Sequence, residues 1–134
     1  MKPERPFKGG DLVYHGTSAD EDFEDLRGPA WVTDSKAVAK NFVGWNSGRK
    51  PRILTYRMIS APRLVVVSGE REFQDMLEWV DEETGLELSL GWDPHELADA
   101  VCSIRGVDGW HLPDNFPEGS DTLLCDPSAF LEFV

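Results

Sequence analysis

The chain has 134 residues, of which 40% are hydrophobic and 28% charged, with five Trp and seven Phe. This composition excludes an intrinsically disordered segment and predicts one domain over residues 1–134 with a substantial core. The longest purely aliphatic run, residues 64–67, is too short for a transmembrane helix, so we expect no membrane association.

The net charge of −12 is unevenly distributed along the chain. Residues 1–68 hold 11 Lys and Arg against 8 Asp and Glu, whereas residues 69–134 hold 2 against 17. An acidic half argues against an extended nucleic-acid surface. It serves either solubility or contact with a basic partner, while the more basic first half tolerates an anion.

The hydrophobic pattern predicts an α+β fold with strands at both ends of the chain. In the first half we expect strands at 11–15 and 29–33, a short helix or loop at 18–26, a helix from an Asp34 or Ser35 cap to about Val43, and strands at 53–59 and 63–67. The second half predicts an amphipathic helix at 70–83 that Gly85 stops and a helix from Asp93 to Gly106. Strands follow at 107–112, 122–125 and 130–134, with 113–120 as a loop.

Two cysteines, Cys102 and Cys125, lack the spacing of a metal site or a redox pair. Two buried reduced thiols are the favoured interpretation, and a disulfide is the alternative. The start of the chain lacks the apolar region of a signal peptide. We therefore expect a cytoplasmic protein.

Three segments of the first half form a recognisable series of motifs. They are Tyr14-His15-Gly16-Thr17, then Gly28-Pro29-Ala30-Trp31-Val32-Thr33-Asp34, then Ala39-Lys40-Asn41-Phe42. The series resembles the ADP-ribosyltransferase superfamily, in the branch of diphtheria toxin and the poly-ADP-ribose polymerases. Eleven positions separate Trp31 from Phe42, as the two rings are separated in the polymerases. The resemblance implies a split β-sandwich of two small sheets with flanking helices.

The resemblance also implies a chemistry, with NAD as co-substrate and no metal. His15 would hydrogen-bond a ribose hydroxyl, and Gly16 would offer its backbone N–H and C=O to the nicotinamide amide, with Tyr14 and Thr17 beside them. Trp31 and Phe42 would stack on the nicotinamide ring. Asp121 would bind the ribose and stabilise developing positive charge. The expected catalytic residues are therefore His15, Trp31 and Asp121.

The chain departs from the family pattern at three positions. Trp31 replaces the usual Tyr, Ala39 replaces a frequent Ser, and Asp121 replaces the usual Glu. Each aromatic could alternatively be a core residue, His15 a strand-end histidine and Asp121 a turn residue. The arginine-targeting signature is absent, because Gly119 lies two residues before Asp121.

Further residues are candidates for accessory roles. Phe116, alone among turn formers in the predicted loop, would contact the target or fold back onto the core. His111 would be a surface histidine or an additional site residue. Three basic residues could meet the NAD diphosphate or the target, or be an exposed basic loop: Arg49, Lys50 and Arg52.

We expect a mono-ADP-ribosyltransferase that cleaves the nicotinamide–ribose bond and modifies a protein or a small molecule. The alternatives are a non-catalytic acidic interaction or inhibitor module on the same fold, an NAD glycohydrolase, or 2′-phosphate transfer from RNA. The acidic charge disfavours the RNA reaction.

Overall fold

The computed structural model describes residues 1–17, 28–45 and 52–134, without the side chains of residues 42–45. The predicted helix or loop at 18–26 lies outside the described residues. The helices are α1 (Lys36–Trp45), α2 (Gly69–Thr84) and α3 (Pro94–Cys102). The strands are β1 (Leu12–Thr17), β2 (Ala30–Val32), β3 (Arg52–Met58), β4 (Leu64–Val66), β5 (Gly109–Phe116), β6 (Gly119–Leu124) and β7 (Leu131–Phe133).

The strands form two small sheets, as predicted for an α+β fold. One sheet has the order β1-β3-β7, and the other has the order β2-β6-β5-β4. The pair β4–β5 is parallel, and the crossover between its strands contains α2 and α3. None of the helices in the described ranges is both long enough and apolar enough to cross a membrane.

Two hydrophobic clusters form the core. The first lies between the sheets and includes Val13, Leu54, Leu64 and Leu124. The second lies on the other face of the four-stranded sheet, where α2 and α3 pack around Trp110 and Leu123. The buried helix residues of this cluster are Met76, Leu77, Val80, Leu97, Ala98, Ala100 and Val101. Successive β6 residues therefore face different layers, because side chains alternate along a strand.

Local signals set the helix boundaries. Asp93 caps α3 by accepting hydrogen bonds from the backbone N–H groups of His95 (2.7 Å) and Glu96 (3.4 Å), as its sequence predicts. Gly85 ends α2 in a left-handed conformation at φ 78°. Ser35 starts α1, since its Oγ accepts from the Val38 N–H at 3.3 Å. The prediction that α3 extends to Gly106 was wrong, because regular helix ends at Cys102.

The segment predicted as a loop at 113–120 is a β-hairpin. Strand β5 continues to Phe116, β6 begins at Gly119, and these two residues pair. Pro113 lies in β5 beyond Gly109–His111, the residues that pair with β4. Proline has no N–H, and on the β4 side of the strand no ladder hydrogen bond is required at this position. The register is irregular between Leu112 and Phe116.

The favoured prediction of two reduced thiols was wrong. Cys102 and Cys125 form a disulfide with a Cα–Cα distance of 5.5 Å. The fold brings them together because Cys102 ends α3 and Cys125 directly follows β6. The expected cytoplasmic location stays a prediction.

Candidate functional site

The two sheets meet at a backbone bridge between β1 and β2. The N–H of Tyr14 donates to the Thr33 carbonyl at 2.7 Å, and the N–H of Thr33 donates to the Tyr14 carbonyl at 2.9 Å. In an antiparallel ladder the next hydrogen-bonded pair would be Gly16 with Trp31. In the described part of the chain that pair is not formed, so β1 and β2 diverge after the bridge.

The side chain of His15 replaces one of the two backbone hydrogen bonds of the missing Gly16–Trp31 pair. Its Nδ1 lies 2.7 Å from the carbonyl oxygen of Trp31. Since a carbonyl only accepts, Nδ1 holds the proton, and Nε2 of the neutral ring is an acceptor. This is the tautomer that receives a hydrogen bond from a hydroxyl group.

Because the His15 side chain takes the Trp31 carbonyl, the backbone N–H and C=O of Gly16 lie at the opening between β1 and β2. Gly16 lies opposite Ile53 on β3. The N–H and C=O of Tyr14 point away from β3, and those of Gly16, two residues later, point to the same edge. The edge where β1 and β2 separate therefore presents one backbone donor and one acceptor, as an amide ligand requires.

Trp31 lies on β2 opposite Leu123 of β6. Its half-buried ring meets the ring of Trp110 edge to face, with centroids 5.3 Å apart. The predicted stacking residue is thus also a core residue, since it packs against the cluster beneath α2 and α3. Because side chains alternate along a strand, Asp121, two residues before Leu123, lies on the same face of the sheet as Leu123.

Asp121 lies within β6, opposite Leu112, and its side chain is 5% exposed. This position corrects the alternative of a turn residue ahead of the strand. Burial raises the pKa of Asp121 to about 7, against the opposing hydrogen bonds from the Thr122 backbone and the Asn115 side chain. Asn115 Nδ2 lies 3.5 Å from Oδ2, and Oδ1 has no hydrogen-bond partner among the described residues. Asp121 is therefore a buried acid that titrates near neutrality.

The start of β6 is anchored to the segment between β2 and α1. Thr33 Oγ1 donates to the Ser120 carbonyl at 2.6 Å, and the Ser120 N–H donates to Asp34 Oδ1 at 2.8 Å. A Cβ on Gly119 would lie 2.7 Å from Ser35 Cβ, so only glycine permits this approach. These contacts fix Asp121 relative to Trp31. Sequence reasoning missed these contacts because they join residues far apart in the sequence. It missed Asn115 because 113–120 was predicted to be a loop.

The remaining predicted site residues have mixed placements. Thr17 ends β1 opposite Arg52 of β3, and Phe116 is half-buried at the end of β5. Phe42 lies in α1, but its side chain lies outside the described part of the chain, as do Arg49 and Lys50. The ring clamp and the basic loop stay predictions.

His111 is not the surface histidine that the sequence favoured. It is 8% exposed, its Nδ1 lies 2.7 Å from Thr122 Oγ1, and its ring meets that of Phe7 at 5.1 Å. Burial lowers its pKa, although the charges of Asp34 and Asp114 raise it. Because His111 pairs with Thr122, it faces the layer between the sheets, whereas Asp121 faces α2 and α3.

No protein-family model and no curated protein matches this chain. Among solved structures, a chain of the M. tuberculosis MbcT–MbcA toxin–antitoxin complex is similar, with a TM-score of 0.53 and 12% identity. The match covers 95% of this chain and 82% of that chain. At this identity the likeness shows the fold alone, and it confirms an α+β architecture of two small sheets with flanking helices.

Proposed function

We propose that this protein is an NAD-dependent mono-ADP-ribosyltransferase whose site lies at the divergence of β1 and β2. The observation that supports this most directly is the hydrogen bond of His15 to the Trp31 carbonyl. It sets the tautomer of His15 and leaves the Gly16 backbone groups for a ligand. A hydroxyl acceptor beside an amide-binding backbone edge matches the two polar ends of a nicotinamide riboside.

The reaction breaks the bond between the nicotinamide nitrogen and C1 of the ribose. The nitrogen leaves with the bonding electron pair as neutral nicotinamide, and the ribose acquires oxocarbenium character. A nucleophile of the target then bonds to C1 and loses its proton. His15 Nε2 accepts from a ribose hydroxyl and holds the sugar in place, while Gly16 binds the carboxamide.

Asp121 stabilises the positive charge that develops on the ribose in this proposal. Only the ionised carboxylate can do so, and its pKa of about 7 leaves a substantial ionised fraction at neutral pH. The cationic nicotinamide of bound NAD favours ionisation further. A buried carboxylate acts in a low dielectric, where stabilisation of a nearby cation is strongest.

We further propose that the activity is toxin-like and is held in check by a protein partner. The similarity to a chain of a toxin–antitoxin complex supports this. The charge of residues 69–134, with 17 acidic against 2 basic residues, favours a partner with a basic face. The protein or small molecule that accepts ADP-ribose is a separate target.

The test is to incubate the protein with NAD and measure released nicotinamide, with and without candidate targets. We expect release by the wild type and an approximately 100-fold loss in Asp121→Asn. Glu132→Gln is the matched control, since Glu132 is an exposed carboxylate paired with Arg57 at 3.1 Å. Release that needs no acceptor would assign the protein as a glycohydrolase instead. Absence of release with every target would favour the non-catalytic interaction module.

A further inference from the structure

A cavity of about 510 Å³ lies between the first half of α2, Trp92 and the outer part of β5. Its floor is apolar, formed by Val67, Leu77 and Leu112. This volume falls within the range of pockets that bind small organic molecules. The cavity is separate from the opening between β1 and β2, since neither of those strands lines it.

Two aromatic side chains form a wall of this cavity. Phe73 and Trp92 both line it, and their rings are tilted at 58° with centroids 5.1 Å apart. Trp92 is 46% exposed, although burial of such a ring would contribute to stability. An exposed tryptophan that borders a concave apolar surface is typical of a ligand contact.

The polar rim of the cavity is acidic. Glu70 and Asp114 supply two carboxylates, Gln74 and Asn115 are neutral, and no Lys or Arg of the described residues is among its lining. Both carboxylates belong to exposed residues, so they are available to a ligand. Aromatic faces beside carboxylates attract an organic cation through both its charge and its apolar body.

The irregularity in β5 creates half of this rim. In a regular strand Asp114 and Asn115 would point to opposite faces of the sheet. Both line the cavity, because the register shifts between Leu112 and Phe116. A bulge re-aims side chains at one face, and here it adds a carboxylate to the cavity wall.

The beginning of α2 also borders the cavity, and a helix N-terminus by itself favours anions. Two glutamates in the first turn, Glu70 and Glu72, offset this partial positive charge. Glu72 Oε2 accepts from the Ser68 N–H at 3.2 Å, so it satisfies one of the orphan donors at this end. The rim that a ligand meets is therefore negative.

We propose that this cavity is a binding site for a small organic cation with an aromatic or alkyl body, of the arylalkylammonium class. The cation lies between Glu70 and Asp114, and its apolar part packs on Phe73, Trp92 and Leu112. This site goes beyond the proposed NAD reaction and does not depend on it. Asn115 lines the cavity and hydrogen-bonds Asp121, so the two sites are neighbours.

The test compares three isosteric probes: phenethylammonium, phenethyl alcohol and phenylacetate. Each is titrated to about 20 mM, with backbone amide shifts and calorimetry as readouts. We expect saturable binding of phenethylammonium, about tenfold tighter than that of the alcohol, and the weakest binding for phenylacetate. The shifts should map to α2, Trp92 and β5. Absence of saturable binding, or equal affinity for the cation and the alcohol, would overturn the proposal.

Variants separate the charge from the apolar wall. Glu70→Gln with Asp114→Asn should weaken phenethylammonium binding about fivefold and leave the alcohol within about twofold. Trp92→Ala should weaken both probes, since they share the ring contact. Glu83→Gln is the control, because Glu83 is exposed near the other end of α2 and does not line the cavity. If the double variant binds the cation as the wild type does, the carboxylates are not the recognition element.

Discussion

The imidazole of His15 donates a hydrogen bond to the carbonyl of Trp31, the oxygen that the Gly16 N–H would reach if the β1–β2 ladder continued. A side chain thus replaces a backbone group as the donor. The strands can separate while the Trp31 carbonyl keeps a partner. This one bond links the tautomer of a predicted catalytic residue to the opening beside it.

We predict that His15→Gln and His15→Ala lower nicotinamide release by at least about tenfold, because neither has the second ring nitrogen. They should differ in stability. The Gln amide can still donate to Trp31, whereas Ala leaves that carbonyl unpaired and should cost about 1 kcal/mol. Nicotinamide release and urea unfolding of the three proteins measure the two effects. Wild-type turnover in His15→Gln would contradict the role of Nε2.

The raised pKa of Asp121 predicts a pH-dependent stability. The folded pKa is about 7, against an ordinary value of 3.8 for the aspartate carboxyl. Between these values the folded state holds a proton that the unfolded state releases, so stability falls as the pH rises from about 4 to 7. Above this window the cost is at most roughly 4 kcal/mol. Asp121→Asn should therefore be the more stable protein at about pH 8 and differ little at about pH 4.

Urea unfolding of both proteins across this pH range measures the difference. Asp34→Asn is the control, because Asp34 is exposed and its amide oxygen can still accept from Ser120. If Asp121→Asn follows the same pH profile as the wild type, the carboxyl does not titrate near neutrality in the folded protein.

Gly109 at the start of β5 should not tolerate a side chain. Its φ is 151°, and a Cβ would overlap the carbonyl oxygen of Leu123, a backbone atom of the paired strand. Gly109→Ala should cost more than about 3 kcal/mol, because the clash can be relieved only by separating β5 from β6. Gly91→Ala is the comparison, since nothing lies within 4 Å of its Cβ. Thermal unfolding checks this, and equal Tm values for the two variants would contradict it.

Reduction of the Cys102–Cys125 bond should lower stability by about 3 kcal/mol. The bond closes a loop with a sequence separation of 23 residues, and its loss returns conformational entropy to the unfolded chain. Urea unfolding with and without a reductant measures the change. The double variant Cys102→Ala, Cys125→Ala should resemble the reduced protein and be insensitive to reductant. If reductant leaves the wild type unchanged, the disulfide contributes nothing measurable.

Helices and regular strands could be predicted from the sequence because their signals are local. Asp93 as a cap and Gly85 as a stop are readable from residue type alone, and both have these roles. The hairpin of β5 and β6 was not predictable in this way. Pro113 and Asn115 are turn formers by composition, and strand pairing with β6 overrides that preference.

The candidate site shows the same difference between local signals, which the sequence carries, and tertiary contacts, which it does not. His15, Trp31 and Asp121 could be proposed from the sequence because they lie in recognisable motifs, and their roles stay predictions. Their connections were not found, since the bond of His15 to a carbonyl and that of Asn115 to Asp121 depend on tertiary contacts. The disulfide was missed for the same reason, because residue spacing does not reveal that α3 ends beside β6.

Because β5 is irregular between Leu112 and Phe116, the number of residues in this hairpin determines which side chains face the cavity. Between the pairs Leu112–Asp121 and Phe116–Gly119, β5 advances four residues and β6 two, so β5 holds two extra residues. Deleting one of them would reverse the facing of the β5 side chains on one side of the deletion. A point substitution there alters one contact, whereas a deletion would displace both Asn115, the partner of Asp121, and Asp114 of the acidic rim. Natural variation in this hairpin should therefore preserve its residue count more strictly than its residue types.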